Sequence, residues 1–312
     1  QQSAFEFHTR LAFFGPANAP MSQNKNFSAV FLLIVLSLIW GTSFILIKQG
    51  LKFFPPDVVG ALRVTAASLF LLPLALPRLK ELKSGDSFKL FVSGLMGIFF
   101  PAFMFAWAQT QLNSSLAGIL NTLSPVWTMI FGVLLFNQRF KGYALVGVII
   151  SFGGTVLLAL SRAGGSITGF NLYALLIVGA CAFYGANLNW IKFKIAGLGS
   201  LTVTSVSLLF IGPLAAAYLF LATDFVNILV QTPNAWQGFG FVLLLALMST
   251  AVANLLFVKL IGISTPLFAS SVTYIMPIVA VMWGVIDGEV LTVWHLLGMV
   301  LIISGVYLAN KK

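Results

Sequence analysis

Residues 28–48 read SAVFLLIVLSLIWGTSFILIK, and residues 172–192 read LYALLIVGACAFYGANLNWIK. Each run has the length and apolarity of a helix that crosses lipid, about 20 residues. Laid over each other at an offset of 144, they pair Trp40-Gly41 with Tyr184-Gly185, Ser43 with Asn187, and Lys48 with Lys192. An offset of 152 then puts Leu123-Ser124-Pro125 on Ile275-Met276-Pro277 and Gly132 on Gly284. After a one-residue gap, Gln138 falls on Glu289, Gly147 on Gly298 and Gly154 on Gly305. The matches run in the same order, so the chain reads as two copies of one unit.

Working outward, ten stretches qualify as spans: 28–48, 57–77, 88–108, 114–136, 142–161, 170–192, 200–222, 236–259, 266–286 and 292–309. Turn-forming clusters rich in Pro, Gly, Asn and Ser separate most of them, such as Phe54-Pro55-Pro56-Asp57 and Thr232-Pro233-Asn234. The runs are too long and too uniformly apolar for the alternating strands of a barrel. Five spans per copy is an odd number, so consecutive copies must face opposite ways in the bilayer. That is the inverted-repeat plan of secondary transporters, with a binding cavity near the midplane. The expected fold is an all-α integral membrane protein, ten transmembrane helices as two inverted five-helix repeats. The repeats are expected at 27–162 and 168–310, after a tag-like or added segment at 1–20.

Composition agrees. Of the 312 residues, 59% are hydrophobic and only 8% are charged, against about 25% charged in soluble domains. The net charge is +10, and its placement excludes a nucleic-acid surface in favour of loops facing anionic lipid. With a cytoplasmic N-terminus, the inner segments hold Lys25, Arg78, Lys80, Lys83, Lys89, Arg139, Lys141, Lys192, Lys194, Lys259, Lys311 and Lys312. The outer segments hold Lys48, Lys52 and Arg162. That division places both termini in the cytoplasm of a cell (inner or plasma) membrane protein.

Three stretches carry a family resemblance: Leu38-Ile39-Trp40-Gly41-Thr42-Ser43-Phe44, Leu62-Arg63, and Pro277 through Asp287-Gly288-Glu289 to Gly298 and Gly305. Together with ten spans in two repeats, they resemble the EamA-type branch of the drug/metabolite transporter superfamily. The resemblance covers about residues 28–309 and implies export, less often uptake, of small metabolites such as amino acids. One position departs from the family pattern. Gln138 stands where a Glu is expected near the end of span 4, while Glu289 is present in the second copy.

Polar groups inside lipid are costly, so each is a candidate for substrate binding. Trp40 and Ser43, with their counterparts Tyr184 and Asn187, form one set. Trp40 lies too deep in its span for an interfacial aromatic belt. Asn121 and Ser124 share a helical face in span 4, and Thr273 and Tyr274 lie on the matching face of span 9. The plain alternative for these small polar groups is helix packing. Pro125 and Pro277 each remove a backbone hydrogen bond and should kink their helices. Arg63 is the basic residue inside a span. It either snorkels to the interface or offers a forked cation to a substrate carboxylate.

Several chemistries are excluded. One cysteine, Cys181, and two histidines, His8 and His295, leave no ligand set for zinc or haem and no serine-hydrolase triad. No metal and no cofactor is expected, and no enzymatic activity. There is no phosphate-binding GK[ST] loop for ATP-driven pumping, and no charged ring or filter repeat of a channel. An integral-membrane enzyme or a channel for small amphipathic molecules stands as the alternative. None of the seven acidic residues lies mid-span, which argues against simple proton coupling. Asp287 and Glu289 read as a polar helix-end turn. The expected partners are a small-molecule substrate and the bilayer, with the chain acting as a monomer.

Overall fold

A computed structural model describes residues 23–138, 142–160, 171–195, 197–264 and 266–310. The segment at 1–20 lies outside these, as do Arg139, Lys141, Arg162, Lys311 and Lys312 of the charge division. The described residues form an all-α bundle of ten main helices, eight of them long and apolar enough to cross a membrane and the other two, α5 and α10 below, apolar as well. They are α1 (Gln23–Leu51), α2 (Pro56–Arg78), α3 (Asp86–Ala108), α4 (Ser114–Phe136), α5 (Gly142–Leu160), α6 (Tyr173–Lys194), α7 (Ser200–Leu221), α8 (Ala235–Ile263), α9 (Phe268–Ile286) and α10 (Val293–Asn310). A short helix, Phe225–Gln231, lies between α7 and α8.

Local chemistry sets the helix ends. Pro56 opens α2, where its missing N–H is harmless. Gly85 turns the chain into α3 at φ 84°, a region open to glycine at no steric cost. The Asn113 side chain caps α4 by accepting from the Leu116 N–H at 2.8 Å. Apolar side chains such as Leu134, Leu221, Ile149 and Val300 stand exposed on the outer face of the bundle. In water such a surface would drive aggregation, and in lipid it is the solvent-facing side.

The two copies pack as inverted repeats. Helix α2 lies along its own counterpart α7, and α5 along its counterpart α10. Likewise α1 packs on α9 as α6 packs on α4. The repeated glycines sit in these contacts. A Cβ on Gly41 would stand 2.5 Å from Val279 Cβ, and one on Gly185 would stand 2.6 Å from the Thr128 nitrogen. Gly154 and Gly305 serve the α5–α10 contact, where a Cβ would come within 2.9 Å of Gly298 O and 2.6 Å of Gly147 O respectively. Close approach at small residues is how lipid-embedded helices gain dispersion contact.

Helix irregularities repeat as well. α3 carries a π-helical turn at Leu95–Phe99, and α8 one at Leu245–Val252. α4 tightens to a 3₁₀ turn at Asn121–Leu123, and α9 at Ser271–Tyr274. In both cases a proline follows at once, Pro125 in the first turn after the break in α4 and Pro277 in the first turn after the break in α9. The helix is therefore interrupted before each proline, as a missing N–H requires. The breaks lie beside the cavity described next, where irregular backbone is tolerated inside a membrane protein.

Candidate functional site

One cavity of about 950 Å³, part of it open space, lies between the repeats. Its walls come from α1, α2, α3 and α4 of the first copy and α6, α8 and α9 of the second. Trp40, Ser43, Phe44 and Ile47 line it from α1, while Tyr184, Asn187, Leu188 and Ile191 line it from α6. These are counterparts at the offset of 144, residue for residue. Asn121, Ser124 and Thr128 face it from α4, and Ser270, Thr273 and Met276 from α9.

Several of the polar side chains are held by hydrogen bonds. The Trp40 indole N–H donates to Ser249 O at 2.9 Å, inside the π-helical turn of α8. Its ring meets Phe257 edge-on at 4.8 Å between centroids. Ser124 Oγ donates to Asn121 O at 2.9 Å, and Thr128 Oγ1 to Ser124 O at 2.8 Å. The Asn187 amide oxygen accepts from Ser93 Oγ at 2.8 Å. Phe105 stands between Phe44 and Tyr184, at 5.8 and 6.1 Å. The walls are thus aromatic, with amides and hydroxyls set among them.

Arg63 supplies the cavity's positive charge. It is 8% exposed, so its guanidinium does not reach the interface. Its Nε donates to Thr250 Oγ1 at 2.7 Å, and Thr250 O in turn accepts from Asn254 Nδ2 at 2.7 Å. No carboxylate forms an ion pair with Arg63 among the described residues. A charge taken from water without an opposite partner is expensive.

Of the residues expected to bind substrate, Trp40, Ser43, Arg63, Asn121, Ser124, Tyr184, Asn187 and Thr273 surround this cavity. Tyr274 is not part of its lining, although, like Trp40 and Tyr184, it packs against the hydrophobic core. It follows Thr273 in a 3₁₀ turn, where consecutive side chains are rotated by about 120°, so the two cannot face the same way. Thr250, Asn254, Phe105 and Phe257 also line the cavity and went unselected in the sequence. Asn254 carried a usable signal, an amide inside a span, the same cost that singled out Asn121. Phe105 and Phe257 coincide at the offset of 152.

A second polar cluster closes one end of the bundle. Glu289 Oε1 accepts from Lys48 Nζ at 2.7 Å, from the Ser114 N–H at 2.9 Å and from Ser114 Oγ at 2.6 Å. Its Oε2 accepts from the Ser115 N–H at 3.0 Å and from Ser115 Oγ at 2.6 Å. Lys48 also reaches Asp287 Oδ2 at 2.8 Å. Glu289 is therefore not a solvated turn residue: its side chain is 3% exposed. Burial raises the Glu289 carboxyl, but the hydrogen bonds from Lys48, Ser114 and Ser115 outweigh it and hold the group at about 2. The Lys48 ammonium likewise holds Asp287 below the usual carboxylate range.

An inverted-repeat helical bundle around a central polar-lined cavity is the architecture of a multi-pass membrane transporter. The sequence comparisons agree. The chain belongs to the EamA-like transporter family, whose profile matches residues 27–160 and again 171–311. It is 26% identical over 305 residues to "Uncharacterized transporter YvbV" of Bacillus subtilis, covering 94% of each chain. It is 28% identical to "Uncharacterized inner membrane transporter YedA" of Escherichia coli K12, covering 90% of this chain and 92% of that one. It is 25% identical to the "Probable amino-acid metabolite efflux pump" of Salmonella typhimurium, covering 89% and 93%. A solved crystal structure superposes with a TM-score of 0.61 at 19% identity, covering 90% of this chain and 96% of that one, which speaks for the fold alone.

Proposed function

We propose that the chain exports small amphipathic metabolites bearing a carboxylate, amino acids among them, by alternating access between its inverted repeats. The observation that carries this reading is Arg63, a buried cation on the cavity wall whose Nε is engaged by a neutral hydroxyl. Its two terminal nitrogens form the fork that matches a carboxylate. The aromatic walls would take the apolar part of the substrate, and Asn121, Asn187 and Asn254 its remaining polar groups. The printed name of the Salmonella relative favours amino-acid metabolites and the outward direction.

The division of basic residues supports cytoplasmic termini, which would put the Glu289 cluster on the outer side. No ATP is used, and Glu289, held near 2, is a poor proton carrier at neutral pH. Transport would therefore run down a gradient or couple by another route. In proteoliposomes, counterflow of labelled amino acids should show a transient overshoot. Arg63→Ala should lower transport of carboxylate substrates by about 10²-fold, in line with losing a buried charge-assisted pair worth ~3 kcal/mol, while the variant stays folded. Equal transport by folded Arg63→Ala protein would refute the carboxylate reading.

A further inference from the structure

The two ends of the cavity carry the same latch in two chemical versions. At one end, Lys48 of α1 meets Glu289, which follows α9, and Glu289 binds the first residues of α4. At the other, the counterpart lysine, Lys192 of α6, donates to the backbone carbonyls of Ile261 and Ser264 at 3.0 and 2.9 Å. The counterpart of Glu289 is Gln138, whose amide donates to Asn189 Oδ1 at 3.4 Å. Gln138 lies against Gly132 much as Glu289 lies against Gly284, so the contact with the glycine is repeated while the carboxylate and its partners are not.

The sequence explains why the carboxylate is lost there. Ser114 and Ser115 donate two N–H and two O–H groups to Glu289. At the offset of 152 their places are taken by Pro266 and Leu267. Proline has no N–H, and neither residue has a hydroxyl. A carboxylate at position 138 would lack most of the donors that make burial of Glu289 tolerable.

A second cavity of about 240 Å³ shows which way the molecule is hollow. It shares Ile98, Asn187, Ile191, Asn254 and Val258 with the central cavity and adds Ser93, Val203, Thr204 and Ser207. Val203 lies three residues from the start of α7 and Ile191 three from the end of α6, both at the Gln138 end. The void thus extends away from Glu289.

We propose that Glu289, clamped by Lys48, Ser114 and Ser115, is the gate latch of this transporter. It holds the end formed by α1, α4 and α9 shut, and the neutral Gln138 end opens and closes freely. The chain therefore rests with the Glu289 end closed, and parting Lys48 from Glu289 is the costly step of the cycle. This rests on alternating access but not on the identity of the substrate.

The test uses pairs of nitroxide labels and pulsed dipolar distance measurement on the full chain in nanodiscs, in a Cys181→Ser background. One pair spans the latch, at the exposed positions Gln111 and Val290. The other marks the opposite end, at the exposed positions Lys194 and Lys259. In Glu289→Gln, the longer-distance population across Gln111 and Val290 should rise by about tenfold, with a matching move to shorter distances at the second pair. Lys48→Gln leaves the serine donors in place and should give the same direction with smaller amplitude, which keeps the test decisive if the first variant does not fold. Distances across Gln111 and Val290 that match the parent in the folded variants would overturn the proposal. Arg63→Ala should leave both distances unchanged, so a failed carboxylate reading and a failed latch are separable.

Discussion

The Glu289 end and the Gln138 end of the cavity are built from corresponding pieces of the two repeats, yet one is ionic and the other neutral. At the first, a lysine, two carboxylates and two serines interlock. At the second, a lysine caps two carbonyls and an amide meets an amide. The difference teaches that a duplicated fold supplies corresponding helix ends twice, while a few side chains decide which charges and donors meet there. Under the proposed latch, a carrier symmetric at positions 138, 266 and 267 would have no resting side, and the residues found there would give it one.

Truncation at the two counterpart positions would sharpen the comparison most. Glu289→Ala strands the donors of Ser114 and Ser115 and part of Lys48, and should cost about 3–5 kcal/mol, the usual penalty for breaking a buried charge pair. Gln138→Ala removes a long amide contact and should cost about 1 kcal/mol. Thermal unfolding in detergent reads both. Similar losses at the two positions would remove the asymmetry.

Acid is the next lever. In the fold the Glu289 carboxyl is held at about 2, below the ordinary glutamate value of 4.5. A depressed folded value means that the stability it supplies is fully present above about pH 4.5 and is lost as the pH falls through 2. Asp287 is shifted in the same direction and adds to the same window. The unfolding midpoint should therefore change little on account of this cluster from pH 8 to 5 and then drop below pH 4.5. Glu289→Gln should drop less over that lower range. Equal acid sensitivity in the two proteins would show that the cluster does not supply the stability assigned to it.

The smallest expected effect lies at the rim of the same end. Lys52 is half-exposed and 3.9 Å from Asp287. Lys52→Ala should change the stability by less than about 1 kcal/mol, since solvent screens such pairs. A larger loss would extend the latch outward beyond Lys48.

Much of the molecule is legible in its letters. The apolar runs and the offsets of 144 and 152 disclose ten helices in two copies, and the cost of polar groups in lipid leads to Trp40, Arg63, Asn121, Tyr184 and Asn187, all on one cavity wall or another. Thr250 is harder to find, because a π-helical turn shifts the helical register on which face assignment depends. Tyr274 stands off the cavity lining for a related reason, the tightened turn in α9. The role of Glu289 was hidden for another: its partners lie 174 to 241 positions away in sequence. Beside Asp287 and Gly288 it looks like any solvated helix end.

The sequence alone determined the solvent, the number of helices and their duplication, because hydropathy and spacing are local properties written once per residue. Only the tertiary structure decided which charges are spent on one another and which are free. Lys48 is neutralised by carboxylates carried on another repeat, and among the described residues Arg63 is engaged by a hydroxyl and by no carboxylate. Charges of like appearance in the chain differ because their energy depends on what the fold brings within about 4 Å and on how much water remains there.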